Sequence, residues 1–401
     1  MKQIIFIILS CIIINVSAQS RYYKAQMHCH TTNSDGNYDP IDLINKYKDA
    51  GYEILMITDH NFVTNGASYN VPGILCINGE EITFDRHMNG FFLDHAIIPD
   101  ENFNCQDAIY SVQAQGGLIQ LNHYCAGLLT PDEWEVSASE IMNLNNGPDI
   151  LEIFNTAQEA LQTHDDKTIW DSLLTAGKIV WGGADDDFHP AVLESIEFNH
   201  AWNMIFLDSL TENNVYQAIK NGNFYASTGV EIYNYNVTNY NTFKIIEINS
   251  NATKIDFWGP GHTLLYSVNG GNAQYTLQDY SYVRAELIID GFTSNQYAWT
   301  QPVFMESINN VENQDVLPII NLYPNPASTT ISLSLIASES IHAKLKIIDI
   351  LGRQQIEIFD GLLKPYKNTI NFDVSYLESG QYYILIETEK GYKGLPLQII
   401  R

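Results

Sequence analysis

Five stretches in the first half of the chain carry side chains able to hold a metal ion, each placed just after a short apolar run. Gln26–His28 leads into His28-Cys29-His30, Glu53–Thr58 into Asp59-His60, and Ile74–Asn78 into Gly79-Glu80-Glu81. Leu118–Leu121 leads into Asn122-His123, and Lys178–Trp181 runs into Asp185-Asp186-Asp187-Phe188-His189. Neutral imidazole and carboxylate suit Zn²⁺, Mn²⁺ or Fe²⁺, and carboxylates that bridge suit more than one ion. A lone histidine is more often a satisfied polar residue than a ligand. Nine of the 11 histidines, however, fall between His28 and His200. Five strand ends that each carry imidazole or carboxylate exceed what the bland explanation covers. The chemistry expected is hydrolysis at a multinuclear metal site.

The elements that must position these groups alternate between strand-like and helical patterns. Asp39-Pro40 opens a helix with proline at its first position, sets Ile41, Leu43-Ile44 and Tyr47 on one face, and closes at Gly51. Glu53–Thr58 is a short continuous apolar run, as a buried parallel strand should be. The spacing predicts further helices over Asn104–Gln115, Thr168–Ala176 and Thr211–Lys220, stopped by Gly116-Gly117, Gly177 and Gly222. Repeated βα units imply an α/β fold. Ligands gathered at the C-terminal ends of several strands point to a closed barrel, because an open sheet gathers them mainly at its switch point.

The 401 residues include 20 Lys+Arg and 47 Asp+Glu, a formal charge of −27, with 45% hydrophobic and 12% aromatic residues. That is too apolar for a disordered chain and long enough for two or three domains. Such an acidic chain repels phosphate backbones, which argues against a basic nucleic-acid-binding surface. An anionic substrate needs local positive charge that Lys and Arg do not supply here. Bound metal supplies it.

At the N-terminus, Met1-Lys2-Gln3, the run Ile4–Ile14 and Val16-Ser17-Ala18 read as a signal peptide over residues 1–18. The run is shorter than the ~20 apolar residues that span a bilayer, and no later segment supplies them, so no transmembrane segment is expected. Of the cysteines, Cys29, Cys76, Cys105 and Cys125 remain after cleavage, free or bridged. Near Val316-Leu317-Pro318 the pattern changes, which places a linker at 307–320. Beyond it, short alternating segments from Thr330–Leu335 to Leu397–Ile400 are punctuated by turns at Leu351-Gly352-Arg353 and Ser379-Gly380, the pattern of a small β-sandwich. Tyr323-Pro324-Asn325-Pro326, Lys346–Gly352 and Tyr376–Tyr383 make residues 321–401 resemble the C-terminal sorting domain of the type IX secretion system of Bacteroidota. The resemblance implies a partnership with that secretion machinery and a secreted or cell-surface location.

The metal-binding motifs carry a second resemblance. His28-Cys29-His30-Thr31-Thr32-Asn33-Ser34-Asp35-Gly36, Thr58-Asp59-His60, Gly79-Glu80-Glu81, Asn122-His123 and Asp187-Phe188-His189 resemble, in order and spacing, the PHP (polymerase and histidinol phosphatase) superfamily over residues 22–230. Gly222–Gly229 and Ala298-Trp299-Thr300-Gln301-Pro302 look like its carbaryl-hydrolase branch, in which a β-rich extension, here residues 231–306, follows the barrel. The resemblance implies a distorted (β/α)7 barrel holding two or three divalent ions. It implies His28, His30, Glu81 and Asp187 for a first ion. Glu81 would bridge to a second with His87 and His123, and Asp35, His60 and His189 would hold a third. Glu81, Asp187 and His189 are also assigned catalytic roles. Glu80 competes with Glu81, and His95 with His87. Asp185 and Asp186 read as supporting or turn residues, and Asp59 as orienting His60 or nearby backbone. Asn122, Asn155, Arg86 and His200 are candidates for supporting or substrate contacts.

The expected activity is hydrolysis of a small phosphoester by a metal-bridged hydroxide. The same site also suits a carbamate, ester or amide carbonyl, because fold does not fix substrate. A non-catalytic surface binding protein is the remaining alternative. Tyr233-Asn234-Tyr235-Asn236 and Tyr280-Ser281-Tyr282 read either as strand packing or as rings that stack on a sugar or nucleoside.

Overall fold

A computed structural model describes residues 20–124, 136–156, 166–189, 197–240, 243–291, 294–305, 319–337, 340–349, 353–364, 366–388 and 391–401. The signal peptide, linker residues 307–318, Cys125 and the turn residues 350–352 lie outside the described residues. The chain divides into two units, Met1–Met305 and Glu306–Arg401.

The first unit is mixed α/β and rich in sheet. It opens with β1 (Arg21–Gln26), α1 (Pro40–Asp49), β2 (Ile54–Ile57), β3 (Leu75–Thr83) and β4 (His87–Phe91). Next come α2 (Cys105–Ala114), β5 (Leu118–Leu121), α3 (Ala138–Asn143), β6 (Ile150–Asn155), α4 (Asp166–Thr175) and β7 (Trp181–Asp185). β8 (Trp202–Leu207), α5 (Glu212–Lys220) and β9 (Phe224–Ser227) follow. Proline at the start of α1 costs no helical hydrogen bond, and its inward face is Leu43, Ile44 and Tyr47. Asn104 and Asp107 form a capping box at α2, and Thr211 caps α5. All four residues of β2 are buried, which explains an apolar run without alternation.

Three differences from the expected boundaries bear on the candidate ligands. β1 ends at Gln26, so His28 lies beyond the strand. β3 runs on to Thr83 because it pairs antiparallel with β4, Glu81 opposite Asn89 and Thr83 opposite His87. β7 begins only at Trp181, since Lys178 N–H still bonds the Leu173 carbonyl at the end of α4.

β1, β2 and β3 pair parallel, as do β5, β6 and β7, and β4 runs antiparallel between the two sets. Just past the ends of β1 and β7, Cys29 bridges Phe188, with His30 N–H on the Phe188 carbonyl and Asp187 N–H on the His28 carbonyl, both at 3.0 Å. The seventh strand thus returns to the first. On the other side of β1, β8 pairs antiparallel and leads through β9 into the later strands.

Those later strands are β10 (Ile232–Asn239), β11 (Lys244–Ser250), β12 (Lys254–Gly259), β13 (Thr263–Asn269), β14 (Asn272–Leu277), β15 (Tyr282–Ile289), β16 (Gln296–Thr300) and β17 (Val303–Phe304). β16 pairs with β9, so β12, β13, β15 and β16 continue the same sheet, whereas β10, β11 and β14 form a separate one. Their shared core includes Ile246, Ile248, Ile255, Phe257 and Leu287.

Among its described residues the second unit is all β. One sheet joins Ile319–Tyr323, Thr330–Ala337 and Tyr366–Asp373; the other joins Ile341–Asp349, Gln354–Leu363, Gly380–Thr388 and Gly391–Ile399. Ile331 and Leu333 from the first and Leu345, Ile384 and Leu397 from the second share one core. Among the described residues no helix is long and apolar enough to cross a membrane.

Candidate metal centre

The nine candidate ligands reach one place from six strands and one loop. His28 and His30 follow β1, Asp35 lies on the loop to α1, and His60 follows β2. Glu81 is inside β3, His87 opens β4, His123 follows β5, and Asp187 and His189 follow β7. Their ligand atoms form overlapping groups, each within 4.8 Å: His28, His30 and Asp187; His30, Asp35, His60 and His189; His60, Glu81 and His87.

Glu81 links the groups. Its Oε1 lies 3.4 Å from His28 Nε2, 3.1 Å from His87 Nδ1 and 3.4 Å from His123 Nε2. Its Oε2 lies 3.4 Å from His30 Nε2 and 3.2 Å from His60 Nδ1. Asp187 Oδ1 is 3.1 Å from His28 Nε2 and 3.2 Å from His30 Nε2. Two donors each about 2.1 Å from one ion stand about 3.0 Å apart at a right angle and about 3.4 Å apart at the tetrahedral angle. The observed spacings fall in or near that range.

His28 Nε2, His30 Nε2 and Asp187 Oδ1 are buried, and among the described residues none has a hydrogen-bond partner in suitable geometry. Stranding such atoms costs about 1–3 kcal/mol each. A cation between them removes that cost, so the donor set fits a divalent metal. Exposure grades across the site. The His28 and His30 side chains are fully buried, while those of His60, His189 and Asp35 are 23%, 31% and 55% exposed. The centre therefore opens to solvent on the Asp35 side.

Local backbone chemistry holds this arrangement. Thr31 carbonyl accepts from Ser34 and Gly36 N–H, closing the loop that carries Asp35. A Cβ on Gly36 would come within 2.3 Å of the His30 carbonyl oxygen, so glycine is required there. Asp59 gathers the same loop, accepting from Thr31 N–H at 2.7 Å, Thr31 Oγ1 at 2.7 Å and Ser34 Oγ at 2.8 Å. His123 and Asp187 both have left-handed φ, 22° and 52°, a conformation uncommon outside glycine and often found at functional sites.

The electrostatics call for positive charge. Burial opposes a charged His28, yet Asp187, Glu81 and Glu152 together raise its pKa well above the ordinary value. Burial likewise opposes ionisation of Glu81 and Asp187, yet His28 with His87 and His28 with His189 hold these carboxyls well below the usual range. The charged form of His28 is thus favoured beside these carboxylates, whereas burial lowers the pKa of His30. A metal ion would supply that positive charge in place of a proton on His28.

Several supporting residues take defined roles. Asn122 Nδ2 donates to Glu81 Oε1 and Asn89 Oδ1, both at 2.9 Å, and Asn155 Nδ2 donates to Asp187 Oδ2 at 3.1 Å. Glu80 points the other way, accepting from Ile97 N–H, and burial raises its pKa to about 7. His95 lies on an exposed loop held by Gln115, outside the cluster. Asp185 accepts from Met27 N–H, Gln120 and Asn203, and Asp186 accepts from the backbone N–H groups of Asn199, His200 and Ala201. His200 thus contributes through its main chain. Arg86 lines a cleft with Asn104, Cys105 and Glu140. Cys29, Cys76 and Cys105 are free thiols.

Glu152, which lies in none of the motifs, also contacts the cluster. Its Oε1 accepts from His28 Nδ1 at 2.8 Å, and its Oε2 accepts from His123 N–H at 2.7 Å and Asn155 Nδ2 at 3.0 Å. The available signal was a carboxylate inside the apolar run Ile150-Leu151-Glu152-Ile153-Phe154, since buried charge is rarely unpaired.

Residues 321–395 match the family model of the secretion system C-terminal sorting domain. No curated protein matches the sequence. Among solved structures, the chain is similar to a two-domain protein from Bacteroides vulgatus containing a predicted PHP-like metal-dependent phosphoesterase, at 15% identity and TM-score 0.40, covering 88% of this chain and 96% of that one. It is also similar to a protein from Bifidobacterium adolescentis assigned as a metal-dependent phosphoesterase, at 14% identity and TM-score 0.33, covering 41% and 87%. An amidohydrolase from Chromobacterium violaceum with bound sulfate matches at 15% identity and TM-score 0.33, covering 43% and 89%.

Proposed function

We propose that the chain is an exported, metal-dependent phosphoesterase of the PHP type. In this reading residues 1–18 are the signal, 22–230 a distorted (β/α)7 barrel, 231–306 its β-rich extension, 307–320 a linker and 321–401 the sorting domain. The sorting domain implies secretion or display at the cell surface and interaction with the type IX machinery. The observation that carries the catalytic part is the trio of buried atoms His28 Nε2, His30 Nε2 and Asp187 Oδ1, which face one another without hydrogen-bond geometry among the described residues, beside six more imidazole and carboxylate groups.

His28, His30, Glu81 and Asp187 would hold a first ion, Glu81, His87 and His123 a second, and Asp35, His60 and His189 a third. Bound divalent ions supply Lewis-acid charge for phosphoryl oxygens and lower the pKa of water toward ~7. The chain's own residues set the directions. His28 donates Nδ1–H to Glu152 and turns the lone pair of Nε2 into the centre. His189 donates Nδ1–H to the Asp187 carbonyl at 2.8 Å, which aims its Nε2 toward Asp35. The exposed Asp35 side admits substrate. Two divalent ions would balance the carboxylates of Asp35, Glu81, Glu152 and Asp187 and a third would exceed them, so the trinuclear pocket favours an anion over a neutral ester despite the acidic chain.

Protein beginning after Ala18, loaded with Mn²⁺ or Zn²⁺, should cleave an aryl phosphate faster than the matching aryl ester, and chelation should abolish the activity. Full retention of activity in His28→Ala/His30→Ala would overturn the assignment. Cleavage of the aryl ester or carbamate without the phosphate would make the protein a carboxyl-type hydrolase. Purified protein without tightly held metal would make it a binding protein.

A further inference from the structure

We propose a second ligand site, for a neutral saccharide, at the end of the first unit opposite the metal centre. A cleft of about 410 Å³ lies between the start of β1, the end of β8 and β10. That volume is within the range of small-molecule sites. Tyr22 lies six residues before His28, or about 20 Å along an extended strand, so the cleft and the metal centre are separate.

Three observations define the ligand. First, the lining is aromatic: the Tyr22 ring stands 5.1 Å from Phe206 and 4.9 Å from Tyr225, and Tyr233 and Tyr235 close the β10 side. Phe206 and Tyr233 remain 44% and 61% exposed, although burying such rings is normally favoured. Second, Tyr233 is set there by a backbone device. Ile232 pairs with Ser250 and Asn234 with Asn249, so Tyr233 is the extra residue of a β-bulge, which re-aims a side chain. The Tyr233-Asn234-Tyr235 motif is thus absorbed only in part by sheet packing. Third, among the described residues the lining of the cleft carries no free charge. Arg21, the one cation among its described lining residues, donates Nη1 to Glu53 at 2.8 Å, while the exposed carboxamides of Asn223 and Asn234 offer donors and acceptors. Aromatic faces for the C–H side of a sugar ring, with carboxamides for its hydroxyls and no spare charge, suit a neutral saccharide. An anionic ligand would lack a counter-charge.

The test is calorimetric titration of the chain beginning after Ala18 with maltotriose, cellotriose and N-acetylated chitotriose, and with an anionic uronic-acid trisaccharide. At least one neutral trisaccharide should bind with Kd of about 10 μM–1 mM. Tyr233→Ala and Phe206→Ala should each weaken it about tenfold, the order of one lost aromatic contact. Tyr233 is 61% exposed, so the melting temperature of Tyr233→Ala should be unchanged, and hydrolysis at the metal centre should continue in both variants. Absence of binding up to about 10 mM, equal binding by both variants, or preference for the anionic sugar would overturn the proposal. Because hydrolysis is read separately, failure here leaves the phosphoesterase reading standing, and the reverse holds as well.

Discussion

His28 Nδ1 lies 2.8 Å from Glu152 Oε1, and this contact decides which nitrogen of the imidazole faces the candidate metal centre. The carboxylate is fully buried and accepts from three donors: the His28 ring, the His123 main chain and the Asn155 amide. Glu152 therefore ties together groups expected to hold two different ions and, through Asn155, the carboxylate of Asp187. Glu152→Gln can supply one acceptor where two are used. If its NH₂ meets His28, the ring must carry its proton on Nε2 and loses the lone pair needed for ligation. Metal affinity should fall about 10–100-fold, measured by competition with a chromogenic chelator, with the melting temperature of the metal-free protein little changed. Unaltered affinity would show Glu152 to be structural only.

Metal removal should destabilise the first unit without unfolding it. The carboxylates and imidazoles of the centre are crowded within a few ångströms, and ligand binding to the native state alone contributes about 2.7 kcal/mol at 100 times Kd. The hydrophobic clusters around Trp170 and Ile205 do not include the ligand side chains, so they survive demetallation. EDTA should lower the melting transition by roughly 5–10 °C, and Mn²⁺ or Zn²⁺ should restore it. Calorimetry with and without chelator checks both directions.

Much of the centre was legible in the sequence because its residues follow short apolar runs, and His28, His30, His60, His123, Asp187 and His189 all lie just past strand ends. Glu81 was found by motif, but its place inside β3 was not, since the antiparallel hairpin that lengthens β3 depends on β4 pairing back onto it. Glu152 was hidden for another reason. Strand patterns identify burial, but whether a buried carboxylate is an error of reading or a supporting ligand depends on His28, 124 residues away. The continuation of the sheet through Ser227 opposite Ala298 is equally non-local. Periodicity finds strands; it does not say which strands pair.

The link between α4 and β15 is a buried ion pair. Arg284 donates Nε to Asp171 Oδ1 at 2.8 Å and Nη2 to Oδ2 at 2.6 Å, while Tyr282 OH and His262 Nδ1 contact the same carboxylate. Neither side chain of the ion pair is exposed. Asp171→Ala strands a buried guanidinium and should cost about 3–5 kcal/mol, whereas replacing both partners by Leu and Met should cost much less. Urea unfolding followed by tryptophan fluorescence gives both values, since Trp170 lies beneath Arg284. Equal losses in the single and double variants would mean that the pair itself, rather than the stranded charge, carries the stability.

Lys24 sets a pH dependence of opposite sign to that of an ordinary salt bridge. Its Nζ bonds Asn199 Oδ1 at 2.6 Å and stands over the rings of Tyr52 and Trp202 at 4.1 and 3.9 Å. Burial lowers its pKa from 10.5 to about 8, outweighing the attraction of Asp186. The native state therefore gives up this proton before the unfolded state does. Between about pH 8 and 10.5 the unfolded chain binds more protons at this group, so stability rises with pH across that window. Below it the penalty of a buried ammonium is fully present. Relative to Lys24→Met, the wild-type chain should gain on the order of 1–2 kcal/mol from the bottom of the window to the top, a figure reduced for solvent screening at this partly exposed site. Chemical denaturation of both proteins at a series of pH values isolates the effect, because every other titrating group cancels in the difference. A flat difference would mean that the aromatic faces compensate the ammonium for its lost water.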